Sequence, residues 1–184
     1  MMTTVPLRYH PLLIALHWLV ALLILANLAV GWLVLEPMAN NTAKLPLLRL
    51  HMLTGIAIVV LMVVRLVTRL TTRKPPIPHT SRALRILAVA NHWLLYLVVF
   101  SMVSTGVGIA VFAKLVPLLG GATVTLPQNF ETVPPMIGHG FFALALVVLV
   151  GAHLAGVAYH RFVQHHDVLP RMGVGRAAPT RRAG

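Results

Sequence analysis

Four long apolar runs dominate the chain, near residues 12–35, 50–70, 85–112 and 136–162, and polar or proline-bearing links separate them. A hydrocarbon core about 30 Å thick takes about 20 apolar residues per helix, so each run is long enough to cross a bilayer. The first begins after Pro11, carries no charge from Leu12 to Leu35, and stops at Glu36-Pro37, where proline cannot continue a helix. It is too long for a signal peptide and lacks a small-residue cleavage site, which predicts a retained span. The second fades into Arg65, Arg69, Arg73 and Lys74, whose long stems reach back toward headgroups, and ends before Pro75-Pro76. A short proline-rich link follows over 74–81. A longer one, about 113–135, holds Pro117, Gly120-Gly121, Pro127 and Pro134-Pro135 without helical periodicity, and predicts irregular backbone capping one face. The expected architecture is all-α: one transmembrane four-helix bundle over residues 1–172, followed by a small, basic, disordered tail over 173–184.

Composition agrees and adds direction. Of 184 residues 58% are hydrophobic and 10% charged, and the mean hydropathy is +0.87. Fifteen Lys and Arg face three acids, a net charge of +12. Such a balance also suits nucleic acid, but a nucleic-acid binder carries its basic residues on a solvated surface, and too little polar surface exists here. Counted at the span ends, twelve of the fifteen fall on one side: Arg8, the group from Arg65 to Arg85, and the group from Arg161 to Arg182. Lys44, Arg49 and Lys114 fall on the other. The positive-inside bias places both termini and the second-to-third link in the cytoplasm, so the outer loops face the periplasm or its equivalent. The absence of cysteine excludes disulfides, iron–sulfur clusters and covalently attached haem, so a cofactor is left to His, Met or carboxylates.

Ten histidines are many for so apolar a chain, and an ionisable group at membrane depth needs a partner and usually marks function. His17, His92, His139 and His153 lie deepest, with His51 at the start of the second span. His17 stands about five residues into a span that enters from the cytoplasm, roughly 8 Å deep at 1.5 Å per residue, and His92 is placed similarly. His51 and His139 each open a span that starts from outside. They are therefore the two candidates for an outer bis-histidine site. His139 and His153 are fourteen residues apart, close to four helical turns, so one helix face offers a ligand to each half of the membrane, roughly 21 Å apart. Two haems stacked across a four-helix bundle need this arrangement, with His17 partnering His153 and His51 partnering His139. Bis-imidazole ligation fills both axial positions and suits electron transfer rather than O₂ binding.

Other residues have two readings each. His92 competes for the inner site or binds a ligand beside it. Gly138, Gly140, Gly151, Gly156 and Gly55 flank the ligands and would admit a flat macrocycle, or serve ordinary helix contact. Arg65, fourteen residues after His51, reaches a haem propionate or snorkels to the boundary. His160, seven residues after His153, delivers protons near a cytoplasmic electron acceptor or is merely solvated.

The stretches Leu16-His17-Trp18-Leu19-Val20, His51 with Gly55 and Leu61 to Leu66, His92 in the third span, and Ile137-Gly138-His139 through Gly151-Ala152-His153 to His160 resemble the bacterial cytochrome b561 family. The resemblance covers roughly residues 8–172, including Val168 to Met172. It implies a four-helix inner-membrane cytochrome with two haem b groups, His17 and His153 ligating the cytoplasmic-side haem and His51 and His139 the periplasmic-side haem. Its best understood stand-alone members are superoxide oxidases, in which the outer haem takes an electron from superoxide and the inner haem passes it to ubiquinone. The quinone is then expected near His92 and His160, with His79 also approaching the headgroup. One feature departs from this: the outer segments hold Lys44, Arg49 and Lys114 against Glu36 and Glu131, a net of only +1, which is a weak funnel for an anion. Two other functions compete. One is a cytochrome b anchor subunit passing electrons between a periplasmic dehydrogenase or hydrogenase partner and quinone, against which the short extramembrane segments argue. The other is a haem-free transporter or structural bundle.

Overall fold

The computed structural model describes residues 8–75, 81–165 and 167–175. Helix α1 (Pro11–Ala29) runs on into a π-helical turn, Val30–Leu35; a 3₁₀ turn, Thr42–Lys44, leads into α2 (Leu45–Thr71). Helix α3 (Arg82–Phe112) is followed by the short α4 (Val116–Leu119), a 3₁₀ turn at Phe130–Thr132, α5 (Pro135–Phe162) and a last 3₁₀ turn, Leu169–Met172. No strand occurs among the described residues. Four helices, Pro11–Leu35, Thr42–Thr71, Arg82–Phe112 and Pro135–Phe162, are long and apolar enough to cross a membrane.

Local chemistry sets the boundaries. The His10 imidazole accepts from the Leu12 amide at 3.3 Å and Pro11 occupies the first turn of α1, where its missing N–H costs nothing. Ser81 caps α3 through its hydroxyl, 3.3 Å from the Leu84 amide. Helix α2 begins five residues before the expected 50, because Pro46 starts it and Arg49 folds away from water, donating from Nε to the Leu119 carbonyl at 3.2 Å. His51 is thus more than a turn inside α2 rather than at its start. The long link is not wholly irregular either: α4 begins with Pro117 in its first turn, and Leu115 and Leu118 bury themselves with Leu45, Ile109 and Leu126 in a small core of their own. Lys44, only 6% exposed, is held there by the Met38 carbonyl at 3.2 Å and Asn40 Oδ1 at 2.7 Å.

Helices α3 and α5 make the most extensive pairing, and α1 packs on α2. Small residues allow the first approach: a Cβ on Gly108 would stand 3.0 Å from Pro135 Cγ, and one on Gly138 would stand 3.2 Å from Thr105 Cγ2. A main core joins the four long helices through Val20, Ile58, Met62, Tyr96, Val99 and Leu146. The outward surface is apolar: Leu22, Leu33 and Ile137 are 66%, 76% and 78% exposed, as lipid-facing side chains should be. The two ends of the described chain meet at one end of the bundle, where Tyr9 N donates to the Arg171 carbonyl at 3.1 Å and Trp18 Nε1 donates to the Met172 carbonyl at 3.0 Å. Residues 173–175, at the head of the expected tail, are packed there, with Gly173 in the left-handed region (φ 82°) and close enough to Ile14 that a Cβ would meet it at 3.2 Å. Residues 176–184 lie outside the described residues, as does His79.

Candidate functional site

Period 3.6 puts His139, Phe142, Leu146, Leu149, His153 and His160 along one inward strip of α5. The strip brings a histidine to each of two partners. His139 faces His51 of α2 with ring centroids 6.3 Å apart, and His153 faces His17 of α1 at 6.1 Å. All four rings are half-buried. Two metal–imidazole bonds of about 2.0–2.1 Å and two ring radii of about 1.1 Å span roughly 6.2–6.4 Å, so each pair is spaced to hold one metal ion between facing nitrogens. No cluster of three or more His, Asp or Glu suited to a metal occurs among the described residues. A bare ion takes four or more protein or water ligands, whereas an iron already carrying four equatorial macrocycle bonds needs two axial ones. Paired imidazoles are the donor set for the second.

His139 is oriented as an axial ligand should be. Its Nδ1 lies 3.1 Å from the Met102 carbonyl and 3.2 Å from Thr105 Oγ1. A carbonyl only accepts, so Nδ1 carries the hydrogen and the Nε2 lone pair stays free. Two glycines keep space beside the outer pair: a Cβ on Gly31 would come 3.4 Å from His51 Cε1, and one on Gly106 would come 3.3 Å from His139 Cε1. Gly31 lies in the π-helical turn, where the Glu36 amide reaches back five residues to the Gly31 carbonyl at 2.9 Å. Of the glycines singled out in the sequence, Gly138 serves contact with α3 and a Cβ on Gly55 would stand 3.9 Å from Asn27 Nδ2, while a Cβ on Gly140, Gly151 or Gly156 would meet nothing within 4 Å.

The end of the bundle that holds His17 and His153 carries more chemistry. His92 stands 5.3 Å from His153, nearly perpendicular at 86°, and donates from Nδ1 to the Ala88 carbonyl at 2.6 Å. That spacing is about 1 Å too short for an interposed metal, so His92 flanks the pair instead of replacing a member of it. Arg65 does not snorkel. It is half-buried and turns inward, donating from Nη1 to the Tyr96 hydroxyl at 2.6 Å, with Nη2 3.3 Å from His17 Nδ1. Its Nε is buried and has no hydrogen-bond partner. The acids are all elsewhere: Glu36 and Glu131 lie in links at the other end, and Asp167 pairs with Arg161 at 3.8 Å. A half-buried guanidinium without a carboxylate leaves its charge uncompensated, a costly state at membrane depth. His160 sits on the same strip near the end of α5 with a buried, unpartnered Nδ1.

Residues that sequence reasoning passed over complete both ends. Asn27 Nδ2 donates to the His51 carbonyl at 3.3 Å and Asn27 Oδ1 accepts from Thr54 Oγ1 at 2.6 Å, tying α1 to α2 beside the outer pair. Thr105 and Tyr96 play comparable parts on α3. The available signal was Asn27 itself, a lone amide in an otherwise apolar run.

A family model described as prokaryotic cytochrome b561 matches residues 8–175 of the chain. The chain is 28% identical over 176 residues to the probable superoxide oxidase CybB of Yersinia pestis, covering 90% of this chain and 95% of that protein. It is 29% identical over 185 residues to cytochrome b561 homolog 2 of Escherichia coli K12, covering 92% and 93%.

Proposed function

The chain belongs to the prokaryotic cytochrome b561 family and is a membrane electron-transfer protein of the b-haem type; from that premise we propose that it binds two haem b groups and carries electrons from superoxide on the periplasmic side to ubiquinone near the cytoplasmic side of the inner membrane. The observation that carries this reading is the pair of facing histidine sets, 6.3 Å and 6.1 Å across, that share α5 at positions fourteen residues apart. Bound haem supplies reversible one-electron storage at each level. The chain supplies everything else.

His51 and His139 would hold the outer iron, with His139 fixed by Met102 and Thr105; His17 and His153 would hold the inner one. Arg65, whose guanidinium lies beside His17, would take a haem propionate. A carboxylate is a stronger acceptor than the imidazole that Arg65 now contacts, so a propionate there would leave His17 Nδ1 free to carry the hydrogen and His17 Nε2 free as a ligand. His92 and His160 form the quinone's surroundings, where reduction of one quinone consumes two electrons and two protons; His79 lies outside the described residues. Two superoxide ions lose one electron each to leave two molecules of O₂, so the exchange balances. His160, with an open ring nitrogen at the cytoplasmic end of α5, relays the protons. The likeness to the probable superoxide oxidase of Yersinia pestis supports superoxide as donor.

A pulse of superoxide given to the purified, oxidised protein tests the donor. The b-haem bands are expected to reduce within the pulse and to reoxidise on adding a water-soluble ubiquinone. Haems that stay oxidised under superoxide yet reduce with dithionite would contradict the donor, and co-purification of a stoichiometric periplasmic subunit would favour the anchor function instead.

A further inference from the structure

The last 3₁₀ turn, Leu169–Met172, spends its carbonyls in two directions. Those of Leu169 and Pro170 close the turn on itself, accepting from the Val174 and Gly173 amides, each at 3.2 Å, a closure that the left-handed Gly173 permits. Those of Arg171 and Met172 go to the start of the chain, where Tyr9 N donates to the first at 3.1 Å and Trp18 Nε1 to the second at 3.0 Å. Arg8 Nη2 adds a bond to the Gly175 carbonyl at 3.0 Å. Gly173 lies so close to α1 that a Cβ would stand 3.2 Å from Ile14 Cγ2. Ile14 is one helical turn before Trp18, so the C-terminal turn is seated on the single face of α1 that carries both.

That seat adjoins a haem-ligand candidate. The Trp18 indole stands 5.2 Å from the His17 ring at 71°, an edge-to-face contact. His139 takes its orientation from the Met102 carbonyl, whereas His17 has no carbonyl acceptor among the described residues and meets only Arg65 Nη2 through Nδ1, at 3.3 Å. A ligand ring without a carbonyl to fix it is held by what packs against it. Here that group is an indole 45% exposed on the helix surface, which changes rotamer freely unless its N–H is tied. The Met172 carbonyl is the tie. Resting on the haem reading above, we infer that Trp18 is the positioning residue of His17, anchored from the far end of the chain by the C-terminal turn, and that indole and turn together shield the His17 side of the His17–His153 pair from water.

Shielding has a sign. Water admitted beside a bis-imidazole iron favours the more highly charged oxidised state and lowers the midpoint. In spectroelectrochemical titration of the haem-loaded, full-length protein, Trp18→Leu is expected to lower the midpoint of the haem held by His17 and His153 by about three- to tenfold in its one-electron equilibrium, tenfold being about 59 mV, and to leave the other haem unmoved. Trp18→Phe keeps an aromatic ring and loses the N–H, so its shift should have the same sign and be smaller. Gly173→Val attacks the seat from the opposite partner, forcing a β-branched side chain into φ 82° against Ile14, and should reproduce the Trp18→Phe shift. The double variant should move the midpoint no further than the larger single change, because both break one attachment. Tryptic cleavage after Arg171 gives a readout independent of haem, and both Trp18→Phe and Gly173→Val are expected to speed it. Loss of the His17–His153 haem alone in Trp18→Leu, with the other haem certifying the fold, supports the inference equally. Faster cleavage with unmoved midpoints would mean that the turn only fastens the two ends of the chain, and would overturn it, as would equal shifts in both haems. A wild-type protein without b-haem bands would overturn the parent reading and this one together, whereas a haem-loaded wild type whose Trp18 and Gly173 variants keep both midpoints defeats this inference alone.

Discussion

Replacing His51 or His139 with alanine is expected to lower the haem content from two per chain to one, while the remaining haem still reduces with dithionite. The expectation follows from helix geometry and ring spacing. His139 and His153 lie roughly 21 Å apart along α5 at 1.5 Å per residue, so removing the outer ligand leaves the inner pair intact. His51 and His139 face each other at 6.3 Å and, among the described residues, have no third histidine, aspartate or glutamate to substitute for either. Each single replacement should therefore empty the same level, and the double replacement should cost no more than the single ones. A haem-to-protein ratio and a redox titration of each variant check this. Loss of the inner haem alone would refute the assignment of depth.

The complementary expectation separates three inner histidines that sequence position alone does not rank. His17→Ala and His153→Ala should each remove the inner haem, whereas His92→Ala should retain both haems and alter quinone reduction instead. Ring spacing decides the matter: 6.1 Å between His17 and His153 accommodates a metal between nitrogens, and 5.3 Å between His92 and His153 does not. His92 is also engaged through Nδ1 with its own helix at Ala88, 2.6 Å away, which fixes the ring at the side of the pair. Haem counts on the three variants are the readout, supplemented by quinone-dependent reoxidation for His92→Ala. A His92→Ala protein with one haem, and a His17→Ala protein with two, would exchange the roles.

Much of this arrangement is legible in the chain. Apolar runs of membrane length and prolines at their ends mark four long helices, because the bilayer imposes a length and proline interrupts a helix wherever it falls. The fourteen-residue interval from His139 to His153 likewise places two side chains on one helical strip by arithmetic. What pattern does not carry is contact between helices. The start of α2 moved outward because Arg49 finds the Leu119 carbonyl seventy residues away, and the long link acquired a core because Leu115 and Leu118 meet Leu45. Arg65 shows the same limit: its spacing from His51 gives its face and depth but not its direction, which depends on Tyr96 across the bundle. Asn27 and Thr105 stayed hidden for that reason, since each matters only through the histidine on a neighbouring helix.

The two facing histidine pairs also recast the sidedness of charge. By sequence position twelve of the fifteen basic residues belong to one set of span ends; at the opposite set Lys44 is buried and Arg49 is bonded to the Leu119 carbonyl, so the surface there is less basic than its residue count suggests. Attraction of an anionic donor over long range is correspondingly small. In the proposed reaction, capture of superoxide therefore depends on close approach to the His51–His139 pair rather than on long-range attraction.

The haem-to-protein ratio of the purified wild-type membrane protein, read from its reduced pyridine haemochrome spectrum, tests the central claim most directly. Two b haems per 20.0 kDa chain are predicted; a ratio of one, or a spectrum without b-type bands, would contradict it.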